Sequence, residues 1–219
     1  PSPGQLALGV GVGPIGQGKL DLWPGFFGPF VRGVANRDDP EDFDSAREVL
    51  SGSFGLIPGW SKDTKVARRC YNVRSETAAV KPSFRNAWKH GQHCIIPAAA
   101  FYEPDWRSGK AIATRITRSD GEPMGIAGLW ERWKSPSGHD VFSYSMLTIN
   151  ADQHPFMRNY HRAGDEKRMV VILPKGLYQD WLNAPASASM EFMRQYPADR
   201  LNVGNGSSGP APSQQKLEL

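Results

Sequence analysis

Cysteine is scarce in this chain of 219 residues, which holds only Cys70 and Cys94. Two separated thiols neither build a disulfide framework nor cluster as a thiolate zinc site, so both read as reduced core residues. No apolar run approaches the roughly 18 to 20 residues of a membrane-spanning helix, and no basic stretch followed by an apolar run opens the sequence. A cytoplasmic protein with no membrane partner is expected. The common catalytic signatures are missing too: there is no G-x-x-x-x-G-K-[ST] loop, no His-Glu-x-x-His, no Gly-x-Ser-x-Gly and no Cys-x-x-Cys. No pair among the five histidines has metal-ligand spacing, so neither metal nor cofactor is expected. Gly11, Gly13 and Gly16 resemble a nucleotide loop but lack a strand-turn-helix context, and a flexible N-terminal segment explains them better.

Glycine and proline, by contrast, are abundant, with 23 and 18 residues. Many turns and short strands follow, within a single α+β domain that is rich in β-structure. Asp39-Pro40-Glu41 supplies an N-cap and an acidic first turn, and Phe43, Ala46, Val49 and Leu50 recur at helical spacing, which predicts a short amphipathic helix. Phe84, Ala87 and Trp88 predict a second helix from Pro82 to about His90. Strands are predicted at Cys94–Ala99, Ala111–Arg118, Met124–Trp133, Val141–Asn150 and Arg168–Leu173, forming an antiparallel meander or open barrel. A helical turn over Gly176–Leu182 closes the core with Tyr178, Trp181 and Leu182. The domain is expected to span residues 1–202, with 203–219 a disordered tail of Gly, Ser and Pro.

Charge is unevenly spread. From Asn36 to Leu50 two cations face six anions, whereas from Lys62 to Lys89 eight cations face two, a larger local excess than the net +4 of the whole chain. These cations are interleaved with Trp60, Tyr71 and Trp88. Cations neutralise phosphates and aromatic faces stack on bases, so the mixture suits single-stranded nucleic acid, although Trp88 also fits a core position.

Three places combine polar or titratable groups with strand ends or turns. Asn72-Val73-Arg74-Ser75-Glu76 joins an amide, a guanidinium and a carboxylate, with a plain surface ion pair between Arg74 and Glu76 as the simpler explanation. Glu103 lies between aromatic and proline neighbours after an apolar run, a setting that desolvates a carboxyl and favours proton donation, unless it is simply exposed on an edge. His161 precedes an apolar strand and is a natural acid or base, though single histidines are more often structural.

Six ordered strings identify the chain as resembling the SOS-response-associated peptidase family. They are Phe54–Trp60, Asn72–Thr77, Lys81–Arg85, Cys94–Pro97 with Phe101–Glu103, Ala127–Glu131, and Thr148 through His161 to Arg168-Met169. The resemblance implies a domain that binds single-stranded DNA and captures the aldehyde of an abasic site. In that family an N-terminal cysteine, exposed when the protein removes its initiator Met, condenses through its amine and thiol to a thiazolidine. Carried over by motif, Asn72 holds the cysteine's amine, Glu103 shuttles protons and His161 assists at the sugar hydroxyl. Trp60, Arg74, Arg85 and Thr148 face DNA, and Arg162 or Arg168 fills the family's arginine role, with Arg168 preferred because Met169 and the strand follow it. A monomer partnered by abasic single-stranded DNA and associated with the nucleoid is implied.

This chain departs from the pattern in several ways. The Met-Cys-Gly-Arg start is absent, and the chain does not begin with Met, so a natural start upstream is expected. Six residues, Arg162 to Lys167, separate His161 from Arg168-Met169, a wider spacing than the family's His-Asp-Arg-Met-Pro. Pro104 and Phe54 stand where tryptophan is usual. The alternative reading is a non-catalytic single-stranded DNA-binding module in which Asn72, Glu103 and His161 are structural. A peptidase acting on other proteins is suggested by the family name alone.

Overall fold

The computed structural model describes residues 21–34 and 47–204. Among these residues are eleven strands and three short α-helices: β1 Phe27–Gly33, β2 Arg47–Phe54, β3 Asn72–Arg74, α1 Ser75–Ala78, α2 Arg85–Lys89, β4 His93–Ala98, β5 Phe101–Asp105, β6 Ile112–Arg118, β7 Met124–Lys134, β8 Asp140–Asn150, β9 Arg168–Val170, β10 Ile172–Leu173, α3 Tyr178–Asn183 and β11 Leu201–Val203. The long hairpin β7–β8 sets the frame. Its two 11-residue strands are rich in apolar, aromatic and β-branched residues and pair from Gly128↔Met146 to Lys134↔Asp140.

From that hairpin the sheet curls into a ring: β7 pairs β4, β4 pairs β1, β1 pairs β2, and β2 returns to β8 at Ser53↔Ser143. The result is a closed five-stranded barrel, not the open one expected from sequence. Both β2 and β3 join β8 in parallel, so the sheet is mixed. Short-range sequence patterns reveal strands but not which distant edges meet. A smaller antiparallel sheet, β11-β6-β5, lies alongside.

Inward-facing side chains fill the barrel. Tyr144 is fully buried and packs on Phe30 and Phe54, at ring separations of 5.2 and 5.7 Å. Trp181 of α3 caps one end, donating its indole N–H to the Cys94 carbonyl at 2.9 Å and stacking on His93 at 3.9 Å. Burial there pushes the His93 imidazole down to about 4, so it is neutral packing material. Cys70 and Cys94 are free and buried, as expected.

Several expectations change on contact with tertiary structure. Part of the proposed helix over Asp39–Leu50 lies outside the described residues, but Arg47–Leu50 is strand. There Val49 and Leu50 face Val31 and Phe30 across the ladder, and Glu48 pairs with Arg32, so cross-strand burial outweighs the local helical spacing. The predicted strand Arg168–Leu173 breaks at Val171, whose N–H bonds Leu147 while its carbonyl accepts from Ala127. That residue switches the chain from β8 to β7. The N-terminal segment and the tail from 205 lie outside the described residues, whereas Val203, assigned to the tail from sequence, pairs with Ile116 in β11. Among the described residues no helix is long and apolar enough to cross a membrane.

Gly55 turns the chain out of β2 at φ +119°, and a Cβ there would overlap the Ala67 carbonyl. Gly55→Ala should therefore destabilise by at least about 2 kcal/mol, because backbone strain and overpacking add. Thermal unfolding should show a midpoint lowered by roughly 4 to 8 °C. A drop below about 2 °C would mean that the turn relaxes freely.

Candidate functional site

Beyond the barrel, the C-terminal half of β8 gains β3 on one edge and β9 on the other. Register then decides which side chains share a face. Asn72 lies opposite Met146, Arg74 opposite Thr148, and Arg168 opposite Asn150. Side chains two apart on a strand point the same way, so Asn72, Arg74, Thr148, Asn150 and Arg168 line one surface of three adjacent strands, while Val73 is fully buried beneath.

Arg168 is the hub of that surface. Its guanidinium grips Glu76 with both terminal nitrogens, at 3.0 and 2.9 Å, and also donates to Glu166 Oε1 at 2.7 Å and to the Thr148 carbonyl at 2.7 Å. Burial opposes its charge, but the two carboxylates outweigh burial and raise its pKa. Burial also pushes Glu76 up, and here too the bonds from Arg168 prevail and hold its carboxyl low. Arg74 reaches across to Glu166 at 2.6 Å. The local pair Arg74–Glu76 suggested by sequence is thus replaced by two crossed, long-range pairs. Thr148 is buried, and its hydroxyl donates to the Val73 carbonyl at 3.3 Å. Asn72 is exposed, and its amide engages no other described residue.

Glu103 and His161 meet at the outer edge of the smaller sheet, along β5. The backbone N–H of His161 donates to the Pro104 carbonyl at 2.8 Å, and Tyr160 bridges Asp105, which straps the segment onto β5. His161 Nε2 then lies 3.0 Å from Glu103 Oε2. The contact lies within hydrogen-bonding distance but is poorly aligned, and it becomes an ion pair when the imidazole is protonated. The Glu103 interaction raises the histidine pKa, partly offset by burial, and the Arg168 backbone adds to the rise. Through that backbone the pair adjoins β9 and the arginine surface. His161 is also the only non-glycine residue at positive φ among those described, at 62°, a conformation costing on the order of 1 kcal/mol or more. Its flanking contacts over-determine a strained backbone at the one histidine that faces a carboxylate.

The remaining candidates lie at different depths. All eight cations from Lys62 to Lys89, Arg85 included, are exposed. Trp60 is 61% exposed and donates its indole N–H to the Pro82 carbonyl at 3.1 Å, which sets it beside the approach to α2 and Arg85. Tyr71 is half-buried against Phe54, and Trp88 is core, so neither offers a free stacking face. Arg162 is exposed and lies 4.4 Å over the Trp106 ring, whereas Arg168 is held by carboxylates. Glu131, within the Ala127–Glu131 string, is buried and accepts from Asn86 at 2.8 Å, a structural contact. His154 caps a 3-10 turn by accepting from the Phe156 and Met157 amides. Glu166, Asn150 and Trp106 belong to the site region but were not singled out from sequence, since no local pattern marks residues brought in by β-register and a widened loop. Among the described residues no group of three or more His, Cys, Asp and Glu could hold a metal.

Fold and site together define a closed five-stranded β-barrel domain with a histidine–glutamate pair adjoining an arginine-bearing strand surface. The chain belongs to the SOS response associated peptidase (SRAP) family, whose model matches residues 21–207. It is similar to the abasic site processing protein YoaM of Bacillus subtilis, 33% identical over 162 residues that cover 71% of this chain and 66% of that protein. The chicken abasic site processing protein HMCES is 29% identical over 188 residues, 74% of this chain and 53% of its own length. The chain thus spans between half and two thirds of these relatives. A crystal structure of a protein from Bordetella bronchiseptica, 52% identical, superposes with a TM-score of 0.73 and covers 83% of this chain and 84% of that one.

A raised His161 pKa has a definite sign for stability. The pair stabilises fully below the ordinary histidine pKa of about 6.5 and loses that contribution as pH rises through the raised value. Glu103→Gln should lower the melting temperature by a few degrees near pH 6, and the gap to the parent should narrow towards about pH 9. A pH-independent gap would show that the carboxylate acts only through packing.

Proposed function

We propose that this protein binds single-stranded DNA and processes abasic sites in it, with Glu103 and His161 moving the protons. The 3.0 Å contact between these two groups carries the reading, because sequence places them 58 positions apart and neither is needed to close the barrel. The exposed cations from Lys62 to Lys89, the solvent-facing Trp60 and the names of the relatives support the DNA substrate.

The chemistry fits the groups present. A ring-opened abasic sugar offers an aldehyde. An amine adds to its carbonyl carbon, and loss of water gives an imine. A neighbouring thiolate then adds to the imine carbon and closes a thiazolidine. Glu103 takes the proton as the sugar opens and returns one to the departing water, while protonated His161 keeps that carboxylate charge-balanced and acts at the sugar hydroxyl. Asn72, exposed and uncommitted among the described residues, holds the attacking amine. Arg74, Arg85 and Arg162 contact phosphates, Thr148 supports the arginine surface from beneath, and Arg168 orders that surface.

Neither Cys70 nor Cys94 can serve as the aminothiol. An internal cysteine has no free α-amine, both residues are buried, and burial raises both thiol pKa values. In the chemistry proposed, the aminothiol is an N-terminal cysteine of the kind the family exposes by removing its initiator Met, not either of these internal thiols.

Protein with its native start, incubated with single-stranded DNA carrying an abasic site, should give a heat-stable species of reduced gel mobility. Intact DNA should give none. Glu103→Gln and His161→Asn should each slow its formation by about 100-fold, the scale of lost acid–base assistance. Equal affinity for intact and abasic strands without any adduct would establish the non-catalytic module instead.

A further inference from the structure

Arg74 and Arg168, from the two strands flanking β8, converge on one carboxylate. Glu166 places Oε2 at 2.6 Å from Arg74 and Oε1 at 2.7 Å from Arg168, and Oε1 also accepts from the Asn150 amide at 3.2 Å. Two guanidiniums and an amide around a pair of oxygens are the donor set that recognises a phosphodiester's two non-bridging oxygens. Glu166 reaches the cradle from the widened connection between His161 and Arg168, next to the proposed acid–base pair.

On the reading above the arginine surface meets DNA phosphate; we propose that Glu166 occupies the cradle of Arg74, Arg168 and Asn150 as a resident mimic, which a DNA phosphate displaces. This rests on the single-stranded DNA reading above. The mimic can leave without stranding a buried charge, because Arg168, 11% exposed at its side chain, keeps its two-pronged grip on Glu76. Arg74, 58% exposed, has Glu166 as its only ion-pair partner among the described residues, so it is the group that changes hands. The connection carries Gly164 at φ 88° with open space around it, and is braced at Lys167 by bonds to Asp152 and Arg162, so release of Glu166 calls for a side-chain swing rather than a loop movement. Exchanging a carboxylate for a phosphate conserves local charge, so Glu166 weakens DNA binding while making it less dependent on salt. It acts as a selectivity device: a strand that cannot seat a phosphate beside the Glu103–His161 pair does not dislodge it.

The test is fluorescence anisotropy with an intact single-stranded oligonucleotide of about 15 nucleotides over a salt series. Glu166→Gln should tighten binding roughly twofold to fivefold, the span of an exposed ion pair. It should also steepen the log–log salt slope by about 0.7, one further phosphate. Glu122→Gln, which changes the same charge outside the cradle in a pair with Lys175, should match the parent. In an Arg74→Gln background the effect of Glu166→Gln should vanish. Tightening no greater than that of Glu122→Gln, or tightening that persists without Arg74, overturns the proposal. A second arm does not depend on DNA: inorganic phosphate at fixed ionic strength should raise the unfolding midpoint of Glu166→Gln more than that of the parent. If the parent binds no oligonucleotide, the DNA reading fails while this arm still decides the cradle; equal phosphate shifts reject it.

Discussion

Strand β8 has two edges, and the structure depends on how they are divided. Its N-terminal half spends one edge on β7 and the other on β2, which closes the barrel. Its C-terminal half, freed from both, takes β3 and β9 instead. A backbone strand can satisfy only two neighbours at any residue, so this change of partners along 11 residues is what lets one element finish the core and build the polar surface. The single-residue switch at Val171, from β8 to β7, is its counterpart on the opposite edge.

Electrostatics follows from that division. Residues far apart in sequence are set in register, and their charges pair across strands rather than along them. Arg168 is tolerated at low exposure because its two terminal nitrogens find two carboxylates and a carbonyl, which offsets much of the cost of desolvating it even though its Nε is buried without a partner among the described residues. A different solution holds at His161, where a strained backbone is fastened to β5 and the ring is left facing a carboxylate. The arginine surface and the acid–base pair adjoin, since the backbone of Arg168 lies close enough to His161 to add to the rise in its pKa.

Much of the fold is legible in the residues themselves. The strands around Cys94, Ile116, Ile126 and Tyr144 announce themselves by β-branched and aromatic runs bounded by Gly, Pro and Asp turns, and α2 and α3 by their apolar faces. The strand over Arg47–Phe54 was obscured because Val49 and Leu50 also fit a helical spacing. Strands as short as β3 and β11 carry too few residues for any period to show. In the site, Asn72, Arg74, Glu103 and His161 stand out as polar or titratable groups at strand ends or turns and fall within the ordered motifs, whereas Glu166 and Asn150 carry no local mark.

By itself the sequence determined a β-rich α+β domain without a membrane helix among its apolar runs, two cysteines destined for the core, a basic stretch at the surface, and membership in a family through ordered motifs. Those properties are local, since propensity, hydrophobicity and motif order are read within a few residues. Tertiary structure alone decided that the barrel closes, that Arg74 and Arg168 share Glu166, and that Glu103 touches His161. Each of these is a meeting of distant segments, set by strand register and burial, which no short window of sequence contains.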